Sequence, residues 1–158
     1  MRKIDQLLSE YGESHQNLTN KTIHWICVPA IFFSIVAMVA SIPSDFLQTI
    51  FGDIPMLSWA SVILVLVMIY YVSLSLPLSI GMLAFSLLCL WVIRILVSTF
   101  ATPLWLIALI IFVVAWIGQF YGHKIEGKKP SFFKDLQFLL IGPAWLMHFV
   151  YKKLHIPY

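Results

Sequence analysis

Four histidines at the borders of apolar stretches are the residues most able to do chemistry. His15 and His24 bracket a polar break in YGESHQNLTNKTIHWICVP, His123 lies in QFYGHKIEGKKP, and His148 lies in the last apolar segment. Imidazole is a good ligand for iron, zinc, copper and nickel. Ionisable side chains at membrane depth are costly and usually functional. The sequence therefore predicts one transition-metal site with His15, His24, His123 and His148 as ligands.

The spacing of His15 and His24 requires a turn between them. The two residues are nine positions apart, and on one helix of about 3.6 residues per turn they would point in opposite directions. Asn17, Thr19 and Asn20 interrupt the chain between them, and Thr19 or Asn20 is expected to cap the next helix. The two rings can converge only if the chain turns within this stretch.

Polar neighbours one helical turn from the histidines could orient the rings. Ligating histidines usually donate their second ring N–H to a carboxylate, an amide or a carbonyl. The candidates lie three or four positions from a histidine, on the same helix face, and are Tyr11, Asn20, Gln119 and Glu126. Taken singly, each histidine could equally be an interfacial residue bonded to headgroups or backbone, and only the set of four favours a metal.

Glu126 has three interpretations. It could accept the second N–H of a ligating histidine, which we favour, because four histidines already supply enough ligands. It could instead be a ligand itself, completing the two-histidine, one-carboxylate site common in non-haem iron oxygenases. The third interpretation is an exposed carboxylate paired with Lys128 or Lys129.

The composition places these residues in a membrane protein. The chain has 158 residues, of which 61% are hydrophobic and 11% charged, against about 25% charged in a soluble domain. Lipid can cover that much apolar surface, and one domain, 1–158, is expected at this length. No basic patch with interleaved aromatics indicates nucleic-acid binding, and no feature indicates an obligatory protein partner. The two cysteines, Cys27 and Cys89, lie in apolar runs and predict neither a disulfide framework nor a cysteine zinc site.

The apolar runs predict an all-α bundle of four transmembrane helices. The predicted elements are an interfacial helix at 3–15, spans at 23–42, 56–76, 78–100 and 104–121, and a re-entrant or interfacial segment at 136–151. A loop is expected from Pro43 to Pro55 and a tight turn at Pro77 and Ser79. Gly127 and Pro130 are expected to end the fourth helix.

The lysines and arginines predict the orientation of this bundle. Apart from Arg94 in the third span, they flank the first and fourth spans or follow the last segment, and none lies in the loop between Pro43 and Pro55. Basic loop residues mark the cytoplasmic side of a membrane. Both termini and the 123–135 loop should therefore face the cytoplasm, which places the four histidines near one membrane face.

The motif Tyr11-x3-His15-x4-Asn20-x3-His24-x2-Cys27-x-Pro29, followed by Gly122-His123-x2-Glu126-x3-Pro130, resembles a small membrane family of bacteria and fungi. Its fungal member is the endoplasmic-reticulum 2-hydroxy fatty acid dioxygenase of phytosphingosine breakdown. The resemblance covers nearly the whole chain. Cys27 stands where the family commonly has glycine, and Ser131 where it has alanine.

This resemblance implies an Fe(II)-dependent dioxygenase that shortens 2-hydroxy fatty acids by one carbon with O2. It carries over His15, His24 and His123 as motif positions, with Glu126 as a further catalytic candidate, whereas His148 is added from topology alone. Lys21 or Lys124 could attract the substrate carboxylate, although basic residues on this face are commonly topology signals. The expected location is the cytoplasmic membrane in a bacterium or the endoplasmic reticulum membrane in a eukaryote.

Two other functions stay open from the sequence. Histidines on a four-helix membrane bundle can ligate haem, and a visible absorption spectrum with a Soret band would favour that function. A non-catalytic lipid-binding protein or small transporter is the other. The desaturase histidine boxes, G-x-S-x-G, Walker A and G-x-G-x-x-G motifs do not occur in the sequence.

Overall fold

The computed structural model describes residues 2–52, 54, 57–127 and 138–158, and this part of the chain contains helices and no strand. The helices are α1 (Lys3–Gly12), α2 (Leu18–Ala40), α3 (Asp45–Phe51), α4 (Trp59–Leu74), α5 (Leu76–Thr99), α6 (Leu104–Glu126) and α7 (Ile141–Lys153). By length and composition, α2, α5 and α6 could cross a membrane, whereas α4 is apolar but has only 16 residues. The predicted roles of Pro55, Met56, Lys128, Lys129, Pro130, Ser131 and 136–137 concern residues outside the described ranges.

The turn between α1 and α2 is built differently from the prediction. The Asn17 side chain accepts hydrogen bonds from the backbone N–H of Thr19 at 2.8 Å and of Asn20 at 3.3 Å. Asn17 is therefore the N-cap of α2, and the expectation of a cap at Thr19 or Asn20 is wrong. Because the cap comes earlier, α2 begins at Leu18 and includes the whole polar stretch before His24.

A second difference lies where α4 meets α5. Ser75 ends one helix and caps the next, its hydroxyl accepting a hydrogen bond from the Leu78 N–H. The predicted turn at Pro77 and Ser79 is therefore wrong. Pro77 lies in the first turn of α5. Backbone N–H groups in a first turn have no acceptor within the helix, so proline is tolerated there without loss of a hydrogen bond. The short helix α3 also occupies part of the segment expected to be a loop.

Helices α2 and α6 approach each other closely through glycine. A Cβ on Gly118 would lie 2.6 Å from Cys27 Sγ, and one on Gly122 would lie 2.4 Å from Asn20 Oδ1. Both separations are shorter than a van der Waals contact, so a side chain at either position would force Cys27 or Asn20 to move. Helix α6 ends at Gly127, as predicted, with the left-handed φ of 71° that glycine adopts readily. The start of α2 thereby lies beside the end of α6.

Helices α1 and α7 together cover this end of the bundle, and we refer to them as the end cap. Ile4, Leu8 and Tyr11 of α1 share one buried cluster with Trp145 of α7. The Tyr71 hydroxyl donates to the Leu140 carbonyl at 2.6 Å, just before α7. Tyr151 of α7 donates to the Pro77 carbonyl at 2.7 Å and accepts from the Gly81 N–H at 3.1 Å. The end cap is thus attached to the α4–α5 junction, which lies at the same end.

Candidate metal centre

Three of the four predicted histidines meet beneath the end cap. His15 lies in the turn after α1, His24 in the second turn of α2, and His123 in the last turn of α6. The ring centroids are 4.2 Å apart for His15 and His24, 5.1 Å for His24 and His123, and 5.6 Å for His15 and His123. All three side chains are buried, with at most 4% of their surface exposed. Three imidazoles from three segments therefore form one cluster.

Backbone carbonyls set the tautomers of two of these rings. His15 Nδ1 lies 2.7 Å from the Tyr11 carbonyl oxygen, and His24 Nδ1 lies 2.9 Å from the Asn20 carbonyl oxygen. A carbonyl can only accept, so each Nδ1 carries the proton and donates it. Each ring then has its lone pair on Nε2, which is the form that binds metal. The carbonyls take the role that the sequence analysis gave to side chains.

The geometry of the cluster fits one metal ion. One nitrogen from each ring can be chosen so that all three lie within 4.8 Å of one another. Nitrogens bound tetrahedrally to one ion at about 2.1 Å lie about 3.4 Å apart, so the most widely separated pair would have to approach by at most about 1.4 Å. Neutral imidazoles suit divalent iron, zinc, copper and nickel, and three protein ligands leave coordination positions for other molecules.

Glu126 holds the turn that brings His15 and His24 together. Its carboxylate accepts hydrogen bonds from the backbone N–H of Gln16 at 2.8 Å and of Asn17 at 3.0 Å, and from Asn20 Nδ2 at 2.9 Å. One residue at the end of α6 thus binds both sides of the α1–α2 junction. This is an indirect role, because the carboxylate orients the backbone that carries the histidines.

Asn20 links this network to His24. Its side-chain N–H2 group donates to Glu126 and, at 3.3 Å, to the Ser14 backbone carbonyl. The backbone carbonyl of Asn20 accepts from His24 Nδ1. The side chain is fully buried, and its Oδ1 lies against Gly122. Gly122 is therefore needed for more than helix packing, because a Cβ at this position would displace the Asn20 side chain from its hydrogen bonds to Glu126 and Ser14.

Aromatic rings enclose His15. The Tyr11 ring stacks on it with centroids 4.4 Å apart and planes 16° apart, and the Trp145 ring lies 5.4 Å away. Tyr11 was a predicted neighbour, whereas Trp145 was missed. The only sequence signal for Trp145 was its position in the same short apolar segment as His148. These rings and the end cap shield the cluster from water.

The structure does not bring His148 into the cluster. Its Nδ1 hydrogen-bonds with the Tyr158 hydroxyl, and its ring packs against Phe149 at 5.3 Å and Tyr158 at 5.1 Å. Burial lowers the pKa of His148, and the positive charge of Lys152 lowers it further. Topology placed this residue at the correct end of the bundle, but its side chain faces the C-terminal residues.

The two lysines expected to attract a carboxylate lie next to the cluster in sequence. Lys21 is half-buried in the first turn of α2, and Lys124 is exposed directly after His123. Neither forms an ion pair with any residue among those described.

A small cavity lies one helical turn from the cluster, toward the middle of the bundle. Its volume is about 20 Å³, and the residues around it include Val28 of α2, Gln119 and Trp116 of α6, Tyr11 of α1 and Gly142 of α7. Val28 follows His24 by four residues and Gln119 precedes His123 by four, so both share a helix face with a histidine. The cavity therefore lies one helical turn from the cluster, on the side away from the end of the bundle.

The comparisons with known proteins agree with the motif resemblance. Residues 1–154 match the model of one protein family, described as "Mpo1-like: 2-hydroxy-palmitic acid dioxygenase Mpo1-like". Neither the curated proteins nor the solved structures include a match to the chain.

Proposed function

The chain belongs to the Mpo1-like family, and from this premise we propose that it is an Fe(II)-dependent dioxygenase of fatty acid α-oxidation. The substrate is a 2-hydroxy fatty acid, and the C1–C2 bond is cleaved. With O2 as oxidant the reaction balances as RCH(OH)COOH + O2 → RCOOH + CO2 + H2O. The product is the fatty acid shorter by one carbon.

The observation that carries this proposal is the buried cluster of His15, His24 and His123, whose ligand nitrogens lie within 4.8 Å of one another. Bound iron would supply the redox chemistry that activates O2 toward the hydroxy acid. The carbonyls of Tyr11 and Asn20 hold two of the rings in the metal-binding tautomer. Three ligands leave room for a substrate that chelates through its carboxylate and hydroxyl.

The remaining predicted site residues act around this cluster. We assign Glu126 and Asn20 to positioning, because they hold the α1–α2 turn, and Tyr11 to excluding water from His15. Lys21 and Lys124 attract the substrate carboxylate from the aqueous side. His148 is left out of the ligand set, because its ring bonds to Tyr158.

A haem cofactor suits this geometry poorly. The rings of His15 and His24 are in direct contact, with centroids 4.2 Å apart, and His123 contacts both. Two histidines that bind one haem would have to lie on opposite faces of the flat macrocycle, which would keep their rings out of contact. Three mutually touching imidazoles are instead suited to a single small ion.

The membrane setting suits an amphiphilic substrate. We propose one domain with four crossings, α2, α4, α5 and α6, in which the end cap lies at the cytoplasmic interface as an interfacial structure. Helix α4 is short for a span, at about 24 Å for 16 residues, and would cross where the bilayer thins locally. A fatty acid could then present its head group to the cluster while its chain stays in lipid.

This topology predicts a labelling pattern. Single cysteines introduced into a variant without Cys27 and Cys89 should react with a membrane-impermeant maleimide from outside at Thr49 in α3, and not at Lys124. The reason is that an even number of crossings places α3 opposite both ends of the chain. Permeabilised cells are the control, in which both positions should react. Outside labelling at Lys124 and protection at Thr49 would reverse the orientation.

Metal analysis followed by turnover tests the proposed function. Protein purified anaerobically should contain one iron per chain, and incubation with 2-hydroxypalmitic acid and O2 should yield pentadecanoic acid and CO2 in equal amounts. Palmitic acid is the matched control and should not be converted. A Soret band would indicate haem instead. Metal-free protein that neither binds added Fe(II) nor converts the substrate would support a non-catalytic lipid-binding role.

A further inference from the structure

Arg94 is the one charged residue of the long apolar helices that lies away from the histidine cluster. The other charged residues of α2, α4, α5 and α6 are Lys21, Lys124 and Glu126, all beside the cluster. Along α5, about 20 Å separates Arg94 from Gly81, whose N–H bonds to the end cap. A charged side chain within a membrane span is costly and indicates a binding function at that place.

Arg94 is exposed and lines a cleft of about 400 Å³ at the end of the bundle opposite the histidines. The cleft lies where the helices end or begin, because its walls include Ala40, the last residue of α2, and Leu104, the first residue of α6. Ser58, the N-cap of α4, also lines it. The remaining wall residues are apolar and are Leu57, Leu90, Ile93 and Val97. Its volume is in the range of small-molecule sites.

The lining combines one permanent positive charge with apolar walls. A guanidinium group stays protonated in proteins and pairs with phosphate through two parallel hydrogen bonds. The apolar walls extend from Leu90 to Val97, about 10 Å along α5, which suits part of an acyl chain. The ligand that complements both features is an anionic amphiphile.

The depth of Arg94 in the membrane favours a phospholipid over a free fatty acid. Helix α5 is about 36 Å long, and Arg94 lies about 8 Å from its end. In a hydrocarbon core of about 30 Å, the Arg94 backbone is therefore just inside the boundary, and its long side chain reaches the head groups. Phospholipid phosphates are the most abundant anionic groups at this level of a bilayer.

We propose that the cleft lined by Arg94 binds an anionic phospholipid, with the phosphate on the guanidinium group and one acyl chain along the apolar walls. A zwitterionic phospholipid binds less well, because its own ammonium group competes for the phosphate. The bound lipid contacts α2, α4, α5 and α6 where their ends meet. The site is separate from the histidine cluster, and its ligand is independent of the proposed function.

The test measures the lipid selectivity of the delipidated full chain in detergent. Phosphatidylglycerol and phosphatidylcholine with identical acyl chains are added in equal amounts, and native mass spectrometry identifies the first lipid bound. Arg94→Gln removes the charge, Arg94→Lys keeps it, and Val97→Phe fills the cleft without changing the charge. Lys153→Gln removes one exposed charge at the histidine end and is the matched control. Circular dichroism checks that each variant is helical.

The wild type and Lys153→Gln should prefer phosphatidylglycerol by about fivefold or more, as expected for one basic residue acting on an anionic lipid. Arg94→Gln should lose this preference, and Arg94→Lys should keep part of it. Val97→Phe should also lose it, which separates a lipid held in the cleft from one attracted to the charge alone.

Three results would overturn the proposal. A wild type without a preference would leave the charge of Arg94 to a partner within the protein. A preference that persists in Arg94→Gln or in Val97→Phe would place the bound lipid elsewhere on the surface. Displacement of phosphatidylglycerol by an equal amount of palmitate would make the occupant of the cleft a free fatty acid.

Discussion

Replacing His24 by alanine is expected to remove the metal ion and abolish turnover. His24 is fully buried, its Nε2 carries the lone pair, and its ring contacts both His15 and His123. Two histidines alone cannot hold the ion against water and buffer ligands. The loss should exceed the roughly 10–100-fold typical of residues that only support a ligand. His15→Ala and His123→Ala should behave in the same way, because each removes a ligand from the same ion.

Elemental analysis and anaerobic Fe(II) titration of the purified variants measure this effect, with circular dichroism to confirm the helical fold. His155→Asn is the matched control, because His155 is exposed and has a φ of 56°, which asparagine tolerates. His148→Gln is a second control that should keep its iron. Stoichiometric iron in all three cluster variants would refute the proposed ligand set, and loss of iron in His148→Gln would restore His148 to it.

The convergence of three of the histidines could be predicted because two features of the sequence limit where these residues can lie. The interruption at Asn17–Asn20 showed that His15 and His24 do not share one straight helix, and the distribution of basic residues placed His123 at the same membrane face. Neither observation involves packing detail. The turn before α2 and the antiparallel approach of α2 and α6 together bring the ring centroids to within 4.2–5.6 Å of one another.

The partners of the histidine rings could not be predicted in the same way. The predicted partners were side chains, whereas Nδ1 of His15 and of His24 is bound by the backbone carbonyl four residues earlier. Any residue type provides that carbonyl, so the side-chain pattern carries no signal for it. The position of His148 failed for a related reason, because its contact with Tyr158 depends on how the end of the chain folds back.

Glu126 is the residue whose replacement should have the next largest effect. Three donors converge on its carboxylate, from Gln16, Asn17 and Asn20, and all belong to the junction that carries His15 and His24. In Glu126→Ala these donors must find water, which should lower the free energy of unfolding by about 1–3 kcal/mol. The loosened turn should weaken Fe(II) binding by roughly 10–100-fold without removing the site.

Glu126→Gln separates the positioning role of Glu126 from that of a ligand. Glutamine has one oxygen for three donors, and its N–H2 group would face an N–H of the turn, so charge loss and misplacement act together. We expect it to retain iron at saturating Fe(II) and to show weakened affinity, measured by anaerobic titration. Glu10→Gln, on the exposed face of α1, is the control. Complete iron loss at saturation, as in the histidine variants, would make Glu126 a ligand. Wild-type affinity and stability in both Glu126 variants would instead mean that the carboxylate is a surface group and that Asn17 and Asn20 hold the turn without it.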